Sequence, residues 1–163
     1  MTVIRPVRSE DVASIAGILN PIISDTTITF TPTPLSEADL LKALSENERQ
    51  ERPYLIADRD GSVVGYAKLG PFRSGAGYAR TAEITVHVAP EWHGRGIGRA
   101  LVEALVAQAR ATGVHSLIAG VSAENANAIK FHEKLGFAHV GLIPEAGYKF
   151  DRYIDLVLMQ KFV

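Results

Sequence analysis

The sequence contains no cysteine, almost no net charge and no long apolar run. Without cysteine, the chain forms no disulfide, offers no thiolate to a metal and cannot carry an acyl group as a cysteine thioester. Seventeen Lys and Arg residues oppose eighteen Asp and Glu residues, so the net charge of −1 provides no overall field for nucleic acid or an acidic membrane. No apolar run approaches the roughly 18 residues of a membrane span, and no basic stretch followed by an apolar one marks the N-terminus. We therefore expect a cytoplasmic protein that binds neither nucleic acid nor membranes.

The composition is that of an ordinary globular protein. With 163 residues, 47% apolar and 21% charged, the chain predicts a single domain over residues 1–163. None of the five histidines is spaced three or four residues from another, so we expect no metal site.

Hydrophobic periodicity predicts seven strands and four helices. The predicted strands cover residues 3–7, 54–57, 62–69, 81–89, 117–121, 137–143 and 153–162. The predicted helices cover residues 9–20, 36–44, 97–112 and 125–135. Early strands joined by hairpins and later strands joined by helices indicate an α/β (α+β) fold, with a mixed sheet and helices on both faces.

A glycine-rich loop joins the strand at 81–89 to the long helix that follows. Its glycines, Gly94, Gly96 and Gly98, allow backbone N–H groups to approach a ligand, and the helix N-terminus favours an anion. The loop therefore predicts a pyrophosphate site, although a tight turn alone would also use glycine. It lacks the Lys and Ser or Thr of a Walker loop, and Arg99 stands where a Rossmann loop needs its third glycine.

The segment Gly94-Arg95-Gly96-Ile97-Gly98 resembles the acetyl-CoA loop of the GCN5-related N-acetyltransferases (GNAT). A second segment typical of that family, NANAIKFHEKLGF, occupies residues 125–137, and the element order also resembles the GNAT fold. This resemblance implies a mostly antiparallel sheet of about seven strands. It also implies acetyl-CoA as co-substrate.

Within the family, the chain is most similar to the phosphinothricin and methionine sulfoximine N-acetyltransferases. The segments that carry this likeness are Leu19-Asn20, Thr26-Thr27 with Phe30, Phe72-Arg73, Thr81-Ala82-Glu83, GYKFDRYIDL at 147–156 and Met159-Gln160. Four positions depart from the usual pattern: Leu19, His93, Asp151 and Tyr153. The departure at His93 concerns phosphate binding, and the other three concern the identity of the acceptor.

The resemblance implies a role for each of a set of residues. Backbone groups of Val86, His87 and Val88 are expected to bind the pantetheine arm, and Asn125 is expected nearby. The pyrophosphate is assigned to Gly94, Arg95, Gly96, Ile97, Gly98 and Arg99. Acceptor contacts are assigned to Arg73, Ser74, Gly75, Glu83, Ile84 and Thr85.

Two residues are candidates for proton transfer. Glu83 is the candidate general base for the acceptor ammonium, with a surface glutamate as the alternative. His132 stands where many relatives carry a tyrosine that protonates the departing CoA thiolate, although a packed or cofactor-contacting histidine is the other interpretation. For contacts with the acceptor, Tyr78, Lys149 and Tyr153 are weaker candidates than Arg73.

We therefore expect an acetyl-CoA-dependent N-acetyltransferase that acts on the α-amino group of a small amino-acid-like acceptor. With no cysteine to hold the acetyl group, transfer is expected to be direct, in a ternary complex. An acetyltransferase for a polyamine, an aminoglycoside or a protein N-terminus, and a non-catalytic CoA-binding domain, are the alternatives. The family likeness also suggests a homodimer.

Overall fold

A computed structural model describes all 163 residues. Its elements follow the order β-α-α-β-β-β-α-β-α-β-β, which confirms the predicted order. The strands are β1 (Thr2–Pro6), β2 (Tyr54–Arg59), β3 (Ser62–Pro71), β4 (Thr81–Val88), β5 (Ser116–Ser122), β6 (Ala138–Lys149) and β7 (Arg152–Phe162). The helices are α1 (Val12–Asp25), α2 (Glu37–Arg49), α3 (Ile97–Ala111) and α4 (Ala126–Lys134).

All seven strands form one sheet in the order β1-β2-β3-β4-β5-β7-β6. Every neighbouring pair is antiparallel except β4 and β5, which are parallel. The turn between β2 and β3 places Asp60 at φ 52° and Gly61 at φ 88°, the left-handed pair that suits a two-residue hairpin. The mixed, mostly antiparallel sheet is therefore confirmed.

Helices cover both faces of the sheet. Strand alternation sends Leu55 into the cluster that includes α3, while Ile56 joins the cluster that includes α1 and α2. Apolar residues of α4, among them Phe131, pack against the α3 cluster. The sheet therefore lies between two layers of helices.

The first helix extends beyond its predicted end. The prediction ended it at Asn20-Pro21, but α1 continues through Pro21 to Asp25. Proline removes one backbone donor, and continuing the helix places Ile23 in the core with only 1% of its surface exposed. The burial of this side chain offsets the lost hydrogen bond.

Strand β6 is also longer than predicted. The prediction ended it at Ile143, whereas the strand continues past Pro144 and Gly147, two residues that are uncommon inside strands. The pairing with β7 shifts register between Ile143 and Gly147, and Glu145 has a φ of 53° within this irregularity. The bulge accommodates these residues, and β6 then resumes to Lys149.

None of the helices is long and apolar enough to cross a membrane.

Candidate active site

Strands β4 and β5 separate part-way along their length. Their pairing covers only Thr81 to Glu83 of β4 and Ser116 to Ile118 of β5. Beyond Glu83, β4 pairs only with β3, and β5 pairs only with β7. An edge of β4 is therefore left without a neighbouring strand, and an extended ligand could hydrogen-bond to its backbone there.

Glu83 lies where the two strands part. A methyl group added to Gly120 of β5 would lie 3.6 Å from Glu83 Oε1, so the carboxylate projects across the opening of the gap. Desolvation raises the pKa of Glu83 above its ordinary value. A carboxylate with a raised pKa accepts a proton from an ammonium more readily than an ordinary surface glutamate does.

The glycine loop presents a continuous run of backbone donors. The N–H groups of Gly94, Arg95 and Gly96 make no backbone hydrogen bond, and the first intrahelical bond is donated by Ala100 to Gly96 O at 3.0 Å. The N–H groups of Ile97 to Arg99 lie in the first turn of α3 and have no intrahelical partner. Six consecutive amides are thus available to an anion, which fits a pyrophosphate.

Glycine is required at two positions of this loop for different physical reasons. Gly96 has a φ of 78°, a left-handed conformation that favours glycine. Gly98 instead lies where α3 approaches α4, because an added Cβ would be 3.2 Å from Cε2 and Cζ of Phe131. The first glycine shapes the loop, and the second allows the helix to approach its neighbour.

A cavity of about 820 Å³ connects these features. All the predicted cofactor-binding residues except Arg95 line it, and so does His132. Its other walls come from the end of α1 with the loop that follows, and from α4. The cavity therefore joins the free edge of β4 to the amides at the start of α3, as a ligand with an amide arm and a pyrophosphate requires.

Comparison with known proteins decides the family. Residues 20–137 match the family model described as the Acetyltransferase (GNAT) family. The chain belongs to this family. It is an N-acetyltransferase, and acetyl-CoA is the acetyl donor of its family.

Individual relatives cover nearly the whole acetyltransferase. It is 37% identical to the L-methionine sulfoximine/L-methionine sulfone acetyltransferase of Pseudomonas aeruginosa, over 94% of this chain and 92% of that one. The crystal structure of a ribosomal-protein-alanine N-acetyltransferase from Brucella melitensis matches with a TM-score of 0.96 and 37% identity, over 99% of each chain. A phosphinothricin acetyltransferase from Sinorhizobium meliloti, in complex with acetyl-CoA, matches with a TM-score of 0.94 and 32% identity, over 99% of this chain and 88% of that one.

Two side chains of the acetyltransferase's loop have specific contacts. Arg95 does not line the cavity, and its guanidinium instead lies 4.8 Å from the centre of the Trp92 ring. The backbone N–H of Arg95, and not its side chain, is therefore the candidate contact with the pyrophosphate. His93, one of the departures from the family pattern, places Nε2 2.8 Å from the backbone oxygen of Val88 and so links the loop to the end of β4.

His87 lies on the same face of β4 as Glu83 and packs edge-on against Tyr66, with ring centroids 5.5 Å apart. Desolvation lowers the pKa of His87 to about 4, with a smaller contribution from the charge of Lys68. The imidazole is therefore neutral at pH 7. This environment fits a structural or cofactor-contacting role for the His87 side chain.

His132 is buried in α4 between Phe131 and Phe137, whose ring centroids lie 5.2 and 5.1 Å from its own. Its Nδ1 lies 2.8 Å from the backbone oxygen of Ala128, and since a carbonyl only accepts, Nδ1 carries the proton. Desolvation lowers the pKa of His132. In the resulting neutral ring, Nε2 is an acceptor and has no proton to give to a thiolate.

The predicted acceptor residues lie beside the cavity and do not line it. Arg73 is exposed in the loop after β3, where its guanidinium lies 5.8 Å from the centre of the Phe72 ring and has no acidic partner. Ser74 and Gly75 follow it, and Gly75 has a φ of 108°. Register pairs Pro71 with Ala82, which brings this loop to the end of β4 that carries Glu83.

The last two predicted acceptor residues alternate across β4. Thr85 shares the face of Glu83, whereas the Ile84 side chain is buried in the α3 cluster, so only its backbone could contact an acceptor.

Sequence reasoning missed the hydrogen bonds of two polar side chains near the cavity. Lys149 was a weaker candidate for an acceptor contact, but it is buried and its Nζ donates to the backbone oxygens of Thr26 and Thr29. Asn125 caps α4 by accepting from Ala128 N at 3.1 Å, which leaves its Nδ2 as the donor available to a ligand. The capping role could have been read from the sequence, whereas the lysine contacts could not. The structure holds no group of three or more metal-binding side chains.

Proposed function

We propose that this acetyltransferase transfers the acetyl group of acetyl-CoA to the α-amino group of a small amino-acid-like acceptor. Methionine sulfone, methionine sulfoximine and phosphinothricin represent the class. The observation that carries this proposal is the position of the Glu83 carboxylate at the point where β4 leaves β5. There, the base stands next to the free strand edge that would hold the donor.

Acetyl-CoA supplies a thioester carbonyl, and the chain's residues provide the rest of the chemistry. The backbone of Val86 to Val88 and the Nδ2 of Asn125 hold the pantetheine arm, while the amides of Gly94 to Arg99 hold the pyrophosphate. Glu83 removes a proton from the acceptor ammonium, directly or through water, and frees the amine lone pair. With no cysteine in the chain, the amine attacks the thioester carbonyl directly within a ternary complex. The new C–N bond forms as the C–S bond breaks, the nitrogen loses its second proton to solvent, and CoA leaves as the thiolate.

Arg73 is proposed to bind the carboxylate of the acceptor. It is exposed, unpaired and on the loop adjacent to Glu83. A guanidinium donates two parallel hydrogen bonds to a carboxylate, so it would orient the α-amino group toward the base. The relatives named for methionine sulfone and phosphinothricin support an acceptor that carries such an anion.

A second acceptor class has a specific observation in its favour. The Brucella structure, named for a ribosomal-protein alanine, is as similar to this chain as the Pseudomonas relative is, at 37% identity. A protein N-terminus has the same α-amino group but no free carboxylate beside it. The two candidates therefore differ in what Arg73 would bind.

The test is release of free CoA thiol from acetyl-CoA with a panel of acceptors. The panel contains methionine sulfone, methionine sulfoximine, phosphinothricin, a peptide that begins with alanine, a polyamine and an aminoglycoside. We expect turnover with the first three. Selective turnover of the peptide would establish the second candidate, and no thiol release with any acceptor would favour a non-catalytic CoA-binding domain.

Arg73→Ala provides the matched test of the carboxylate contact. Its KM should rise by about tenfold or more for methionine sulfone, the effect of losing a charge-assisted hydrogen bond, and remain unchanged for the carboxamide of the same compound. Equal effects on the acid and the amide would contradict the assignment of Arg73.

A homodimer is proposed on separate grounds. Five apolar side chains of the β6–β7 hairpin are 45–64% exposed, namely Val140, Leu142, Ile143, Tyr148 and Tyr153. Contiguous exposed apolar surface is typical of association sites. Sedimentation equilibrium should give twice the mass of the 17.6 kDa chain, and the mass of one chain at micromolar concentration would contradict the proposal.

A further inference from the structure

The loop that joins α1 to α2, residues 26–35, has no backbone framework of its own. Residues 27–35 take part in no backbone–backbone hydrogen bond. Yet Thr26 and Ile28 of this loop line the cavity assigned to acetyl-CoA. A loop without backbone–backbone hydrogen bonds needs side-chain contacts to keep a fixed position.

Lys149 supplies the strongest of these contacts. Its ammonium donates to the backbone oxygen of Thr26 at 2.7 Å and to that of Thr29 at 2.8 Å. Only 4% of the residue is exposed, and no acidic side chain pairs with it. The ammonium thus satisfies two loop carbonyls and finds compensation there for its own burial.

A second contact lies two residues earlier in β6. An added Cβ at Gly147 would lie 2.4 to 2.6 Å from atoms of the Phe30 ring, so the ring occupies the space that a side chain would take. Since Gly147 does not have a positive φ, its absence of a side chain serves the packing of this ring and not a backbone conformation. The loop therefore contacts β6 through Thr26, Thr29 and Phe30.

The two ends of the loop are also held by side chains. Asn20 Nδ2 donates to Leu35 O at 2.9 Å, and Asn20 Oδ1 accepts from Leu35 N at 2.9 Å. Thr27 Oγ1 donates to Glu124, at 2.8 Å, next to the α4 cap. Each of these bonds joins segments that are at least 15 residues apart in the chain.

We infer that Lys149 and Gly147 are positioning residues that hold the α1–α2 loop as a wall of the acetyl-CoA cavity. The inference rests on the proposed placement of the donor in that cavity. Lys149 Nζ also lies 5.2 Å from the centre of the Phe150 ring, but neither Lys149 nor Gly147 lines the cavity. Their effect on the ligand is therefore transmitted through the loop residues that do line it, Thr26 and Ile28. Removing either contact should release the wall without touching Glu83 or the amide run of α3.

Two variants of different chemistry test the inference. Lys149→Met keeps the length of the side chain and removes the ammonium, whereas Gly147→Ala keeps the ammonium and displaces Phe30. Each should raise the Kd of acetyl-CoA, measured by calorimetry, by about tenfold, the effect of losing one charge-assisted or well-packed contact. Each should also speed chymotrypsin cleavage after Phe30, while kcat at saturating substrates stays close to that of the wild type.

Matched controls separate positioning from general damage. Lys42→Met removes an exposed ammonium of α2, and Gly141→Ala adds a methyl to the same strand at 3.9 Å from its nearest neighbour. Both controls should keep the wild-type Kd and cleavage pattern. A wild-type Kd in Lys149→Met and Gly147→Ala, or cleavage spread over the whole chain with a lowered Tm, would overturn the inference. The wild-type affinity itself tests the proposed donor cavity, so the two failures are distinguishable.

Discussion

Replacing Gly98 with alanine should impair acetyl-CoA binding more than it impairs folding. The new Cβ would lie 3.2 Å from two ring carbons of Phe131 and 3.7 Å from Cγ2 of Val88. The contact with the ring is too close, so the ring must move. Because Phe131 lines the donor cavity, the space open to it is the space that the ligand needs.

The expected magnitudes follow from two opposing terms. Inserting a methyl group into a packed contact costs about 1–3 kcal/mol, and replacing glycine by alanine in a helix returns about 1 kcal/mol. The free energy of unfolding should therefore fall by only about 0–2 kcal/mol, which for a chain of this size lowers Tm by about 0–8 °C. If the ring relieves its strain by moving into the cavity, ligand binding must reverse that movement, and Kd should rise about 5- to 150-fold.

Calorimetric titration with acetyl-CoA and a thermal melt measure both terms. Gly17→Ala is the matched control, because Gly17 lies on an exposed face of α1 with no atom within 4 Å of an added Cβ. That control should gain about 1 kcal/mol in stability with no change in Kd. Combining Gly98→Ala with Phe131→Leu should restore part of the affinity, since the two residues share one contact. An unchanged Kd in Gly98→Ala would refute the reasoning.

Two further predictions concern protons. Glu83→Gln should lower kcat/KM by about 10² to 10⁴. Because desolvation raises the pKa of Glu83, the unprotonated base is lost as pH falls through this raised value; the acidic limb of the wild-type pH profile should lie above the ordinary glutamate pKa and disappear in the variant. His132→Gln should leave the alkaline limb of kcat unchanged, because the only proton of the neutral ring is donated to Ala128 O. Disappearance of that limb in His132→Gln would instead establish His132 as the acid.

Local patterns predicted the order of the elements and the position of the amide run. The alternation in β4 and the four-residue spacing of Leu101 and Leu105 depend on near neighbours, so a single sequence contains them. The end of α1 depends on tertiary packing, since the burial of Ile23 in the folded core outweighs the backbone hydrogen bond lost at Pro21. Rules based on neighbouring residues end the helix at Pro21 because they do not include the free energy of burying Ile23.

The gap between β4 and β5 could not be predicted from periodicity. Both strands have ordinary strand patterns beyond the point where their pairing stops, at Glu83 in β4 and at Ile118 in β5, and nothing in their residues marks that point. The gap arises because β5 pairs with β7 along its whole length while β4 follows β3. It is therefore a property of four strands together, and the family resemblance indicated only that the backbone of residues 86–88 binds the pantetheine arm.

The same reasoning applies to Asn20 and Lys149, which stand in segments that carry the family likeness but whose contacts with the loop the sequence did not predict. Neither has a neighbour in sequence that suggests its task, because Lys149 binds carbonyls 120 and 123 residues away. A surface role would predict a solvated lysine, but the Lys149 ammonium is buried, donates to two loop carbonyls and lies 5.2 Å from the centre of the Phe150 ring. Residues that are typical of a family but carry no chemistry of their own are thus expected where a cavity wall lacks backbone hydrogen bonds, as the α1–α2 loop does in this acetyltransferase.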